Sequence, residues 1–381
     1  MTRQNDEPLR VGLIGCGNVA LSDHVPAYLS LPERYRLVAI ADPTPARLDL
    51  GRVASRLDPA DCHADSAELI DRTDLDLIDV CTPQHLHRDL VLSAAASGRH
   101  VLSEKPLATT PQDAWAMVAA AEAAGRTLAI MHNYLFFTEV VRTLELIAAG
   151  EIGPVEVAIL NWLAVRDHPG NAAYRPSWRH DPRQAGGGVL MDMLHIVYLA
   201  EALLGAPIER VSAWVTARND DAPVEDITLT RFETATNAAL VNVGWGVGMG
   251  GFAVSGPSGR IEVTYEDGGN GAFDPFDRLV VHGRSGRAEE LGMPFEDGVR
   301  PLIADLADAI RAGRPPIASG AQGAHILEAT LAVYASAATG RTWELPLVAG
   351  DPLYERGVAG LAELDLAPSS PIATKRIFGL S

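Results

Sequence analysis

From Arg10 to Met131, short apolar runs alternate with stretches whose apolar residues recur at helical spacing. The runs predict strands over Arg10–Gly15, Arg36–Ala41, Leu75–Cys81, His100–Ser103 and Thr127–Met131. The segment L-D-L-I-D-V-C is nearly continuous rather than alternating, the pattern of a strand covered on both faces. Two intervening helices carry start signals. Thr44-Pro45 and Thr110-Pro111 each put Thr at the N-cap and Pro in the first turn. Strands alternating with helices imply a parallel sheet with right-handed crossovers.

After about Leu135 the rhythm changes. A helix is expected near Thr138–Ala149, ending at Gly150, followed by a strand over Val155–Val165 and a helix near Val189–Leu204. Between Ile208 and His282 come six β-type runs: V-S-A-W-V-T-A, I-T-L-T-R-F, A-A-L-V-N-V, F-A-V-S-G, R-I-E-V-T-Y and R-L-V-V-H. With no helix between them, they predict an antiparallel or mixed sheet. Helices near Gly298–Ala312 and Ala321–Thr339 and a partly irregular tail complete the pattern. The fold expected is α/β, with a doubly wound parallel sheet in residues 1–132 and a second α/β domain in 133–381. A chain of 381 residues suits two domains.

Composition narrows the function. A net charge of -18 argues against a nucleic-acid surface, which needs a basic face. No apolar run approaches the ~20 residues of a membrane span, and the polar first ten residues contain no signal-peptide core. Cys16, Cys62 and Cys81 form no C-x-x-C pair and fit a reducing, cytoplasmic compartment. Among 31 basic residues only Lys105 and Lys375 are Lys. In so Arg-rich a chain, a Lys points to a position where a side chain able to release its proton is needed.

The first chemical signal is G15-C-G-N-V-A20, between the first strand and a helix. Small residues let the backbone turn tightly beside a pyrophosphate, and the helix N-terminus supplies amide donors and positive dipole. Asp42 ends the second strand, 22 residues after Ala20, where a carboxylate accepts hydrogen bonds from an adenosine ribose. This spacing predicts a dinucleotide site, with NAD favoured over NADP. Next come C81-T-P-Q-H-L-H87 and E104-K-P106, each at a strand's carboxyl end, where ligands of open α/β sheets bind. Read without chemistry, Thr82-Pro83 is a turn, His85 and His87 are exposed loop or cap residues, and Glu104-Lys105 is a surface ion pair. The H-x-H pair finds no third ligand nearby, so no metal is assigned. In the second half, G186-G-G-V-L-M-D-M-L-H195 opens a helix. Its glycines permit close approach to a ligand, and Asp192 and His195, three apart, share one face. Before it lies a loop dense in Arg166, Arg175, Arg179, Arg183 and Trp178, suited either to local ion pairs or to gripping an anionic or polyhydroxylated substrate.

In this order, G-x-G-x-x-A, T-P, E-K-P, G-G-G-x-L-x-D and the A-x-x-x-S-A-x-x-G-R-x-x-x-L-P stretch at Ala332–Pro346 resemble the Gfo/Idh/MocA family of oxidoreductases. The resemblance implies a Rossmann domain followed by an α/β domain with a large open-faced, mostly antiparallel sheet, whose face pairs subunits into homodimers or homotetramers. It implies Lys105, Asp192 and His195 as the catalytic set. Gly15, Gly17, Asn18, Val19, Asp42, Thr82, Pro83, His85, Glu104, Lys105 and Asn133 would hold NAD. Arg166, Trp178, Arg179, Asp192 and His195 would meet the substrate. Two departures stand out: D-x-x-H replaces the family's D-x-x-x-H, and Leu135 stands where N-x-R-F has Arg.

The activity implied is hydride transfer between a nicotinamide and a secondary alcohol or ketone of a sugar, cyclitol or polyol. His195 would take the hydroxyl proton, while Lys105 hydrogen-bonds the same oxygen. The same resemblance admits a redox-neutral glycosidase or eliminase, a nucleotide-keto-sugar reductase, and a sugar-sensing regulator without turnover.

Overall fold

A computed structural model describes residues 7–165, 187–217, 224–246, 250–265, 276–283, 288–291 and 296–367. The chain divides into two compact units. One comprises the residues through Ala108, Asp113–Asn133 and Gly298–Ala324, and the other Thr109–Gln112, Tyr134–Asp297 and the residues from His325 onward. Residues 298–324, which a single division at 132/133 assigns to the second domain, therefore belong with the N-terminal unit.

That unit is built on six parallel strands: β1 Leu9–Ile14, β2 Tyr35–Ala41, β3 Cys62–His63, β4 Leu77–Val80, β5 His100–Ser103 and β6 Leu128–Ile130. Their order is β3-β2-β1-β4-β5-β6, the doubly wound arrangement whose direction of winding switches between β1 and β4. Val11, Leu13, Ile40, Leu77, Ile78 and Leu102 are completely buried, as nearly continuous apolar runs require of strands covered on both faces. The returning segment supplies the helix Val299–Ala312, with Val299, Leu302, Ile303 and Leu306 buried along one stripe. It packs on the helix Val25–Leu29, and the Tyr35 hydroxyl donates to the Ile303 carbonyl at 2.7 Å.

Among the described residues the second unit carries nine strands: β7 Val157–Val165, β8 Arg210–Thr216, β9 Ile227–Glu233, β10 Ala238–Trp245, β11 Gly250–Gly256, β12 Gly259–Tyr265, β13 Phe276–His282, β14 Ala288–Leu291 and β15 Trp343–Glu344. They run in the order β14-β13-β12-β11-β7-β10-β9-β8-β15 and are antiparallel except for the β7–β10 pair. All six β-type runs read from the sequence form strands. β14 and β15 were not legible, being short edge strands without an alternating pattern of useful length. On one face Ala158, Leu160, Trp162, Val241 and Val243 are buried, with the apolar helix His195–Leu204 packed on β7 and β10. On the other, Val157, Ile159, Trp214, Leu229 and Leu240 are exposed.

The helix expected over Val189–Leu204 is broken. Val189–Asp192 forms one turn, Met193 leaves helical geometry at φ -104° and ψ 31°, and a new helix starts at His195. Asp192 and His195 thus occupy successive segments instead of one continuous helical face, which corrects the spacing argument. The tail contains the helix Pro352–Arg356 and a 3-10 segment Gly357–Glu363. No helix among the described residues is long and apolar enough to cross a membrane.

Candidate active site

The glycine loop leaves β1 with Gly15 at φ +95°, and a Cβ there would run into the Cys81 carbonyl. Only glycine fits this junction of β1 and β4. At Gly17, by contrast, nothing lies within 4 Å of where a Cβ would stand, so the backbone borders open space. Asn18 is half-buried and Val19 exposed. Asn18 and Val19 are already helical (Val19 φ -60°, ψ -43°), and the helix continues through a π turn at Ala20–His24 into Val25–Leu29. First-turn amides have no intrahelical acceptor, and the helix dipole adds partial positive charge beside them.

Asp42, directly after β2, braces this loop. Its Oδ2 accepts from the Cys16 amide and its Oδ1 from the Thr44 amide, both at 2.8 Å. Arg47 Nε donates to the Cys16 carbonyl at 2.7 Å, tying the next helix to the same loop. A carboxylate offers about four acceptor positions, so Asp42 keeps capacity for ribose hydroxyls. The open edge at Gly17, the helix start and this acceptor fit a dinucleotide.

Beyond β4 and β5 the loops are cross-tied. Thr82 and Pro83 are half-buried and His85 is exposed. His87 is completely buried, which corrects its reading as an exposed loop residue. Its Nε2 lies 2.8 Å from the Thr82 carbonyl and its Nδ1 3.0 Å from the Pro106 carbonyl. The imidazole thereby joins the T-P loop to the E-K-P turn. In that turn Glu104 Oε2 accepts from the Lys105 amide at 2.9 Å, and Lys105 itself is half-buried. Glu104 Oε1 lies 3.1 Å from Nε2 of His24, whose Nδ1 lies 2.7 Å from Asp79 Oδ2. The Tyr28 hydroxyl donates to the same Asp79 oxygen at 2.9 Å. Burial works against the Glu104 charge, but the bond to His24, the His24 charge and Lys105 hold its carboxyl below the usual range. The Cys81 thiol adjoins this cluster, pushed up to about 11 by burial. One donor atom each of His24, Cys81 and Glu104 lies within 4.8 Å of the others, yet both His24 ring nitrogens already face carboxylates. The cluster is a hydrogen-bonded one. Asn133, half-buried, opens the 3-10 turn Asn133–Phe136 that follows β6.

In the second unit, Asp192 is half-buried and His195 buried. Nδ1 of His195 lies 2.6 Å from the Tyr198 hydroxyl, which also accepts from the Tyr134 amide at 3.1 Å. The Tyr134 ring stacks on the imidazole, with centroids 4.0 Å apart and planes 17° from parallel. Leu135, standing in place of the family's Arg, is buried beside it in sequence. The glycine stretch has a structural reason. A Cβ at Gly187 would strike the Tyr334 hydroxyl, and one at Gly188 the Glu225 carbonyl. The buried Glu225 carboxylate accepts from the Gly188 amide at 2.8 Å, the Leu190 amide at 3.0 Å and the Tyr334 hydroxyl at 2.9 Å. These two glycines serve internal packing where approach to a ligand was expected. Arg166, Trp178 and Arg179, read as substrate contacts, lie outside the described residues, as do Arg175, Arg183 and Gly186.

Sequence reasoning missed His24, Asp79, Tyr134, Tyr198 and Glu225. One clue was available: Asp79 interrupts a strand read as covered on both faces, and a buried carboxylate needs a buried partner.

Residues 9–132 match the model of an oxidoreductase family with an NAD-binding Rossmann fold, and residues 140–289 match the GFO/IDH/MocA C-terminal domain. The chain is 29% identical over 343 residues to a dTDP-3,4-didehydro-2,6-dideoxy-alpha-D-glucose 3-reductase of Saccharopolyspora spinosa, covering 84% of this chain and 94% of the relative. It is 29% identical over 290 residues to a 1,5-anhydro-D-fructose reductase of Ensifer adhaerens, covering 73% and 82%. Among solved structures, the aldose-aldose oxidoreductase of Caulobacter crescentus, complexed with glycerol, superposes with a TM-score of 0.78 at 27% identity, covering 89% of this chain and all of that one. With both halves matched and the dinucleotide loop built as described, the chain belongs to the Gfo/Idh/MocA family and is an NAD-dependent oxidoreductase acting on CH–OH groups.

Proposed function

We propose that this enzyme interconverts a secondary alcohol and a ketone on a sugar, cyclitol or related polyol, with NAD preferred over NADP. The observation that carries the reading is the placement of Glu104 and Lys105 after β5, on the edge of the sheet where the Asp42-braced glycine loop also lies. NAD, when bound, supplies the hydride acceptor or donor. Gly15, Gly17, Asn18, Val19 and Asp42 would hold its phosphates and adenosine ribose, with Thr82, Pro83, His85, Glu104, Lys105 and Asn133 toward the nicotinamide. Lys105 would hydrogen-bond the reacting oxygen and stabilise charge on it, and His195 would exchange that oxygen's proton. The Tyr198 hydroxyl suits either protonation state of His195, since it can donate to a bare Nδ1 or accept from a protonated one. Asp192, Arg166, Trp178 and Arg179 would grip the substrate hydroxyls or an anionic substituent.

The names of the relatives favour carbohydrate substrates. A second reading, reduction of a nucleotide-linked keto-sugar, is supported by the match across 94% of the dTDP-keto-sugar 3-reductase. The exposed Val157, Ile159, Trp214, Leu229 and Leu240 support self-association through the open sheet face into a homodimer or homotetramer. Residence in the cytoplasm agrees with the three free cysteines.

A panel of sugars, inositols, sugar acids and nucleotide sugars, assayed with NAD and NADP by reduced-nicotinamide absorbance, tests this reading. Steady substrate-dependent reduction of NAD, or oxidation of NADH by a keto-sugar, is expected. Product formed with no net change in cofactor would establish the redox-neutral reading instead, and binding without product the regulator.

A further inference from the structure

Asp79, His24 and Glu104 form a continuous buried chain that ends at the Lys105 turn. The side chains of His24 and Asp79 are 1% and 0% exposed and that of Glu104 13%. Nδ1 of His24 lies 2.7 Å from one carboxylate and Nε2 3.1 Å from the other. Carboxylate oxygens accept and do not donate, so a ring that bonds both must carry a proton on each nitrogen. The Asp79 end agrees. Its Oδ2 receives His24 and Tyr28, while its Oδ1 is buried without a hydrogen-bond partner among the described residues. A carboxylate so placed needs a cation in contact with it, and among the described residues His24 is the one that touches it.

We infer that His24 is a positioning residue of the reaction: as an imidazolium clamped between Asp79 and Glu104, it keeps Glu104 ionised and fixed, and sets the net charge that Lys105 meets. Two carboxylates and one imidazolium leave one negative charge beside the Lys105 ammonium. Without His24 there would be two, in a setting where charge is poorly screened. The other titratable groups facing the cluster are Tyr28 on the same helical stretch, Tyr35 of β2, Cys81 after β4, His87 on the following helix, and His132 after β6. Burial pushes Tyr28 and Cys81 up and His87 and His132 down, which favours the neutral form of each. A neutral His87 donates to only one of its two carbonyls, a lesser loss than an unpaired contact with a buried carboxylate. Burial also opposes the His24 charge, but Asp79 overcomes it and holds the imidazole well above its ordinary value.

The inference rests on reading Lys105 as a catalytic residue, so its test has one arm that needs no turnover. In protein carrying 15N-histidine, two-bond proton–nitrogen correlation should show one imidazole with both nitrogens protonated up to pH 8, absent from His24→Gln and retained in Tyr28→Phe. A His24 ring with one bare nitrogen at pH 7 would overturn the inference even if Lys105 proves catalytic. So would one tightly held zinc per chain that is lost in His24→Gln, because the cluster would then be a metal site. In the activity arm, His24→Gln should keep its NADH affinity. It should lower kcat by about tenfold and move the limb of the kcat/KM profile that vanishes in Lys105→Arg upward by about one pH unit, as removal of one adjacent positive charge requires. An unmoved limb in folded His24→Gln would also overturn it. Failure of Lys105→Arg to alter turnover would instead count against the catalytic reading of Lys105.

Discussion

The Tyr198 hydroxyl stands 2.6 Å from Nδ1 of His195, one helical turn away on the segment His195–Leu204. With Tyr134 stacked on the ring, it fixes the imidazole in plane and in register. Tyr198→Phe keeps the packing and removes the polar partner. We expect kcat to fall about tenfold, within the range of positioned acid–base assistance, with NADH affinity unchanged. Equal kcat for both proteins on a verified substrate would show that the contact does not serve the reaction.

Cofactor choice depends on Asp42. Its carboxylate would repel a 2′-phosphate, while Arg47, which could offer a positive partner, is tied to the Cys16 carbonyl. Fluorescence titration should therefore find tighter binding of NADH than of NADPH, with the gap narrowed in Asp42→Ser. Equal affinities in the wild type would contradict the assignment.

The apolar face of the nine-stranded sheet predicts the oligomeric state. Leu240 is in register with Ile159, and Leu229 with Trp214, so the exposed side chains form neighbouring pairs. Light scattering should report a dimer or tetramer at micromolar concentration, and Leu240→Glu combined with Ile159→Glu should yield monomers. A monomeric wild type would sink the proposal.

A pH dependence of stability follows from Glu225. Burial raises its carboxyl to about 7, against three hydrogen-bond donors. The folded state thus binds a proton that the unfolded chain releases in the ordinary carboxyl range near 4.5. The stability this contributes is complete below that range and is lost as pH rises through about 7. Between those limits the wild type should lose on the order of 3 kcal/mol relative to Glu225→Gln in urea unfolding. Parallel pH profiles for the two proteins would refute it.

Much of the architecture was legible because it follows from pattern. Continuous apolar runs give five of the six parallel strands, the two-residue β3 having no such run, and alternation gives the second sheet apart from its short edge strands β14 and β15. The glycine loop and Asp42 were legible because backbone geometry restricts the residues allowed there. The helix break at Met193 was not, since 189–204 is apolar throughout and offers no breaker; tertiary packing interrupts it. His24 and Tyr198 escaped for a related reason. Each looks like an isolated polar residue in a helix, and its role comes from partners 55 and 3 residues away that only folding selects. The role of Gly187 and Gly188 was misread because glycine allows close approach without specifying what approaches. Here it is Tyr334 and Glu225.

The central claim is that Lys105 acts on the reacting oxygen, and the most direct measurement is turnover of Lys105→Arg with a substrate the wild type oxidises. Arg keeps the positive charge, but it is bulkier and effectively never releases its proton. NADH should bind close to wild type, with kcat lower by about 100-fold or more, the size of the charge stabilisation lost when the bulkier guanidinium cannot reach the reacting oxygen in the same geometry. Near-normal turnover in Lys105→Arg would contradict it.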